Sequence, residues 1–134
     1  AIVLSKKGGV LHKMSIPAKL GLGTAIGSGK QYIPWIHIKD LCNMYLFAIE
    51  NNIYGIFNAV ASEHVSNKML SAGISQVLGK PYFIPNLPTW IIKGMLGEMS
   101  ILLLEGSRIE NHKIRATGFD FKYDKVLEAL NDLL

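Results

Sequence analysis

The sequence predicts an α/β fold made of short strands with packed helices. Three observations carry this expectation. Short β-branched runs alternate with helix-length stretches, which open on Ser, Thr, Asp or Asn and close on Gly. Residues 20–41, LGLGTAIGSGKQYIPWIHIKDL, join a Gly-rich loop to an apolar strand and then to a helix start. The chain has 134 residues, of which 49% are hydrophobic and 18% charged, enough to bury a core and too apolar for disorder.

Taken in order, residues 1–4 (AIVL) read as a buried strand bounded by Lys6-Lys7-Gly8-Gly9. Because the chain opens inside a strand, sequence is expected to precede it. Residues 10–20 form a short helix that Pro17 breaks or restarts. Residues 31–38 (QYIPWIHI) form a strand in which Pro34 supplies no ladder donor, so the strand is an edge or is locally irregular. Asp40 caps a helix over 41–50, with Leu41, Met44, Tyr45, Ala48 and Ile49 on one face, and Asn51, Asn52 and Gly55 end it.

Residues 56–60 read as a further strand. Ser66 or Asn67 caps a helix reaching Leu78, closed by Gly79 and Pro81. Residues 82–85 are extended. Pro88 and Thr89 start a long helix to Leu104, ended by Gly106. Residues 118–121 form a small strand or turn, and Asp124 caps a last helix over 125–133.

The net charge is +4 and the isoelectric point near 9.2. The lysines are scattered, so no nucleic-acid partner is expected, and a basic rim around an anionic small molecule fits better. Cys42 is the single cysteine. It allows no intrachain disulfide, suits a cytoplasmic protein, and reads as a small buried hydrophobe on its helix. The most apolar stretch, 90–104, is broken by Lys93, Gly94, Gly97 and Glu98, and falls short of the ~20 residues that span a bilayer, so no membrane partner is expected.

The glycines fail both phosphate-loop patterns. Lys30 is followed by Gln31 rather than Ser or Thr, and Gly21, Gly23 and Gly27 give G-x-G-x-x-x-G ahead of a strand. The loop is either a flexible connection needing positive φ or one that closes on a substrate held elsewhere. His12, His37, His64 and His112 have no metal-ligand spacing, so no metal is expected. His37 reads as a structural histidine. Lys13, Gln31 and Arg108 are candidate anion or polar contacts that also fit a solvated surface, and Trp35 and Trp90 read as core or interface anchors.

Several phrases then point the same way. IVLSKKGGVL (2–11), the 20–41 stretch, GIFNAVA (55–61), residues 88–106 with LGEM, and GFDFKYDKVLEAL (118–130) resemble the sugar-nucleotide-epimerase-like group of extended short-chain dehydrogenases/reductases, the NAD-dependent epimerase/dehydratase-like proteins. W-I-H-I-x-D-L with G-F-x-F-x-Y is the most specific combination.

The resemblance covers the chain and implies the C-terminal part of a Rossmann-type extended subunit. Residues 1–80 would be its distal Rossmann and substrate-binding portion, and 81–134 a small helical domain of unknown function, the two forming one unit. The full-length subunit would use NAD or NADP; this part alone would bind neither. The family's G-x-x-G-x-x-G loop and Tyr-x-x-x-Lys pair are not in this sequence: Tyr32, Tyr45, Tyr54, Tyr82 and Tyr123 are followed four residues on by Ile36, Ile49, Asn58, Asn86 and Leu127. No catalytic residue is therefore assigned.

The resemblance implies that Ser5 lies near the nicotinamide end of the cofactor, and that the Gly loop and the 31–38 strand border the substrate cleft. Lys13, Gln31 and Trp35 are the substrate-binding candidates. Ile33 and Pro34 stand where relatives acting on nucleotide-diphosphate sugars carry Arg-Asp, and neither can grip a diphosphate.

The expected function is the substrate-binding portion of an NAD(P)-dependent epimerase/dehydratase-like oxidoreductase, catalytically incomplete by itself. A non-catalytic binding or regulatory module and a basic interaction domain are the alternatives. The chain is expected to self-associate through an exposed sheet edge or the 90–104 helix, or to cover that surface with its own helices.

Overall fold

The computed structural model describes residues 1–99, 101 and 106–134. Its centre is a parallel pair of strands, β1 (Ile2–Leu4) and β3 (Trp35–His37), in the register Ile2↔Trp35, Val3↔Ile36, Leu4↔His37. The expected 31–38 strand is divided by Pro34 into β2 (Tyr32–Ile33) and β3. Pro34 has no N–H to give, but its carbonyl still accepts from Ile2 at 2.6 Å. β2 turns away and pairs antiparallel with β4 (Val65–Ser66). Residues 56–60 form no strand. Just beyond them, the Ala61 N–H reaches the Trp35 carbonyl at 2.8 Å.

Both faces of the β1–β3 pair are covered, as parallel sheets require. On one face Ile2, Leu4 and Trp35 join a core with Val10, Leu11 and Ala18 of α1 (Gly9–Lys19), Leu70 and Ile74 of α3 (Asn67–Val77), and Val126, Leu130 and Leu133 of α6 (Val126–Leu133). On the other, Ile36 meets Ile114, Phe119 and Phe121, with Leu41, Met44 and Phe47 of α2 (Ile38–Glu50) packed alongside. The period-two alternation of side chains along β3 divides the two cores. Because α6 shares the first core with β1, segment 81–134 has no separate interior around that helix.

Several boundaries differ from expectation for physical reasons. α1 runs through Pro17 to Lys19, because a proline near a helix C-terminus deletes one hydrogen bond without ending the turn. α2 begins at Ile38, not after Asp40: His37 is its N-cap, with Nδ1 accepting from the Lys39 N–H at 3.0 Å. Cys42 is exposed, as are Tyr45 and Ile49, so α2 buries a narrower face than its sequence offers. Lys125, not Asp124, is the N-cap of α6. Asp124 is instead drawn to Arg115 and to the Ser62 N–H, and Glu63 Oε2 accepts from the Val126 N–H.

α3 starts behind Ser66, whose hydroxyl accepts from the Met69 N–H, and closes at Gly79 with φ +63°. The helix expected over 89–104 stops earlier. α4 (Thr89–Leu96) ends at Gly97 with φ +57°, and a 3-10 turn (Gly97–Met99) follows. The remainder of that expected helix falls largely on residues 100 and 102–105, outside the described residues. A short α5 (His112–Arg115) precedes the 118–121 turn, whose Phe119 and Phe121 are buried. No described helix is long and apolar enough to cross a membrane.

Candidate functional site

In a parallel sheet, ligands meet the carboxyl ends of the strands. Here those ends are Leu4 of β1 and His37 of β3, side by side. They have opposite fates.

The β3 end is closed by a polar clamp. His37 is fully buried and stacks on Tyr123, with ring centroids 4.0 Å apart. Its Nδ1 accepts from Lys39 N–H, which leaves the proton on Nε2, 3.2 Å from Asp132 Oδ2. Asp132 also accepts from Lys39 Nζ at 2.8 Å and from the Tyr123 hydroxyl at 2.9 Å. Those hydrogen bonds, from Lys39 first and then Tyr123, hold its carboxyl down at about 2. Burial lowers the His37 pKa, against the opposing pull of Asp132, so the imidazole is neutral. Beneath it, buried Asp40 accepts from the N–H groups of Lys122 and Tyr123 at 3.0 and 2.8 Å. The W-I-H-I-K-D phrase thus grips the F-D-F-K-Y phrase and α6 through His37, Lys39 and Asp40.

The β1 end is open. It runs into Ser5 and the turn at Gly8 and Gly9, with φ of +110° and +71°, and then into α1. Ser5 is half-buried, and its hydroxyl donates to the Gly8 carbonyl at 3.5 Å. Along α1 lies a groove of ≈ 70 Å³, lined by Lys13, Met14, Pro17 and Ala18 of α1, Leu22, Gly23, Thr24 and Ile26 of the Gly-rich loop, Ser71 and Ile74 of α3, and Leu87. Lys13 is the one charged lining residue, and it makes no ion pair among the described residues.

The loop is anchored rather than loose. Ile26 N–H donates to Asn67 Oδ1 at 2.8 Å, and Lys68 N–H donates to the Gly29 carbonyl. Thr24 Oγ1 donates to the Pro85 carbonyl at 2.8 Å, and Ile26 forms a parallel bridge with Leu87. Gly21, Gly27 and Gly29 hold positive φ, as a tight connection requires. Gly23 is needed for another reason: a Cβ there would fall 2.2 Å from Ser75 Oγ.

The structure brings only one of the sequence candidates to the groove, Lys13. Gln31 Nε2 donates to the Ile26 carbonyl at 3.0 Å, so its amide braces the loop. Trp35 is 1% exposed and donates its indole N–H to the Glu63 carbonyl, which puts it in the core. Ser5 lies at the strand end rather than among the groove residues. Arg108 stacks over Tyr32 and pairs with Glu110. Sequence reasoning did not single out Thr24, Ser71 and Ile74. A signal was available for Ser71: Asn67, Ser71 and Ser75 recur every four residues along the buried side of α3. Among the described residues no cluster of His, Cys, Asp or Glu could hold a metal ion.

A parallel strand pair covered by helices on both faces is the arrangement of a Rossmann-type α/β protein. Comparisons with known proteins agree. A family described as "Domain of unknown function (DUF1731)" matches residues 87–133. The mouse (Mus musculus) epimerase family protein SDR39U1 is 37% identical over 99% of this chain and 46% of its own length. The crystal structure of human epimerase family protein SDR39U1 (isoform 2) with NADPH superposes with a TM-score of 0.89 at 36% identity, covering 98% of this chain and 45% of that one. A nucleoside-diphosphate sugar epimerase from Corynebacterium glutamicum superposes at 0.71 with 26% identity, covering 99% and 24%. Along almost its whole length the chain is similar to the C-terminal part of epimerase family proteins of the extended short-chain dehydrogenase/reductase type. It spans about half the length of the curated relatives it matches.

Proposed function

We propose that this chain forms the substrate-side wall of an NAD(P)-dependent epimerase/dehydratase-like oxidoreductase and supplies no catalytic residue itself. The observation that carries the reading is the groove between α1, the Gly-rich loop and α3, with Lys13 as its single charge among the described residues, while the β3 end is sealed. Support comes from the human relative, whose structure contains NADPH and whose backbone this chain follows closely. When bound, the nicotinamide supplies hydride transfer. The residues of this chain do the rest of their work by position. Ser5, at the end of β1, faces the nicotinamide side. Lys13 draws in an anionic substrate group, and Met14, Leu22 and Ile74 exclude water from its apolar body. Gln31 acts indirectly, by bracing the loop. Residues 81–134 serve as a helical lobe that clamps the wall in place through α6.

The full-length gene product carrying Lys13→Met tests this reading. A rise in KM of about tenfold with kcat little changed is expected for loss of a binding charge. Unaltered KM and kcat in that variant would overturn the substrate-wall role. Ser5→Val is expected to weaken NADPH binding severalfold by fluorescence titration, and an unchanged affinity would remove Ser5 from the cofactor side. Failure of the intact protein to bind NAD(P)H would favour a non-catalytic module instead.

A further inference from the structure

The groove carries information about its ligand that the family reading does not supply. Ser71 is 3% exposed and lines the groove, yet its hydroxyl has no hydrogen-bond partner. It is the middle member of a row on α3. Asn67 Nδ2 and Ser75 Oγ, one turn to either side, are also buried without partners. Buried polar groups are normally satisfied, so an unpaired hydroxyl lining a cavity is a vacant donor. The rest of the lining is apolar: Met14, Pro17, Ala18, Ile26, Ile74 and Leu87. One cation, Lys13, completes it.

A nucleoside diphosphate fits this chemistry poorly. It needs more than one positive charge, and usually the fork of an arginine. Among the described residues no arginine lines the groove, and Arg108 is engaged with Glu110 and Tyr32. One lysine at an apolar groove instead matches one negative charge on an apolar body, and the Ser71 hydroxyl matches one acceptor oxygen of the same ligand.

We infer that the groove binds a small, largely apolar monoanionic acid bearing a hydroxyl or keto oxygen, its carboxylate held by Lys13 and its second oxygen by Ser71. This rests on the groove being the substrate wall proposed above, and it narrows the ligand class.

The test uses the full-length gene product and four probes: hexanoate, its uncharged analogue hexanamide, β-hydroxyhexanoate and UDP. Binding is read from amide chemical-shift changes at Lys13, Thr24, Ser71 and Ile74, with NADPH affinity measured in parallel. Hexanoate is expected to bind about fivefold more tightly than hexanamide, the scale of one partly exposed charge pair, and Lys13→Met should level the two. β-Hydroxyhexanoate should bind more tightly than hexanoate, and Ser71→Ala should abolish that gain. Equal binding of hexanoate and hexanamide, or perturbation of these amides by UDP in preference to the acids, would overturn the inference. Loss of NADPH binding with the acid preference intact would sink the oxidoreductase reading alone. NADPH binding with charge-blind groove binding would sink the ligand class alone.

Discussion

Gly23 shows how a single residue can be chosen by packing rather than by backbone conformation. A methyl group there would meet Ala18 at ordinary van der Waals distance but would overlap Ser75 Oγ. Gly23→Ala is expected to destabilise the fold by about 1–3 kcal/mol, the usual penalty of overpacking. Because the obstructing atom is Ser75 Oγ, adding Ser75→Ala should recover much of that loss, and additive effects in urea denaturation would contradict the account. Asp40 is the corresponding polar case. It is 1% exposed and holds two backbone N–H groups of the 122–123 segment. Asp40→Ala strands both donors and should cost about 2–4 kcal/mol. A loss below ~1 kcal/mol by the same method would show that water replaces the carboxylate.

Among the elements, α6 depends most on distant partners. Its apolar residues pack on α3 across Gly73, where a Cβ would come within 3.0 Å of Leu130 Cδ1. Its end is tied to β3 and α2 through Asp132. In Asp132→Asn, hydrogen exchange should accelerate first in α6 and the 118–123 turn, with β1 keeping its protection. Uniform acceleration throughout would show that the clamp is not a local fastening. The Gly-rich loop is the opposite sort of element. Its own sequence suggests mobility, but hydrogen bonds to α3 and to residues 84–87 hold it on both sides.

For the whole molecule, the clamp makes stability depend on pH. The His37 pKa is lowered from 6.5 by burial. Above 6.5 the imidazole is neutral in both folded and unfolded chains and has no effect. As pH falls below 6.5 the unfolded chain takes up a proton that the folded one resists, so stability drops. Asp132, lowered from 3.8 to about 2, contributes fully above 3.8, and that contribution is lost as pH falls toward 2. Both effects have the same sign. Urea midpoints should fall from pH 7 to pH 5 and fall further below pH 4, with the second decline reduced in Asp132→Asn. A midpoint that rises on acidification would refute this.

The surface makes a second whole-molecule prediction. Tyr45, Ile49, Tyr54 and Ile56 are exposed on and beyond α2, and Phe83 and Trp90 near α4. We propose that the 134-residue chain self-associates through such surface, as well as through the free edge of β1. Sedimentation velocity should show concentration-dependent dimers or larger species, diminished in Ile49→Lys/Ile56→Lys. A monomer at every concentration would count against it.

The sequence by itself determined the α/β class, the resemblance and most helices, because periodicity, capping residues and glycine punctuation are local signals. Only the tertiary structure decided what Asp40, Asp124, Gln31 and Trp35 do. A carboxylate before a helix looks like a cap until chain far away in sequence presents better donors, here Lys122 and Tyr123 for Asp40, and Arg115 for Asp124. An aromatic in a strand looks equally suited to core or cleft until the neighbouring helices cover one face. The groove itself was not legible, since α1, the Gly-rich loop and α3 are separated in sequence and their vacant hydroxyl acquires meaning only where they meet. Local chemistry fixes which elements form; burial and long-range hydrogen bonding fix which side chains remain available to a ligand.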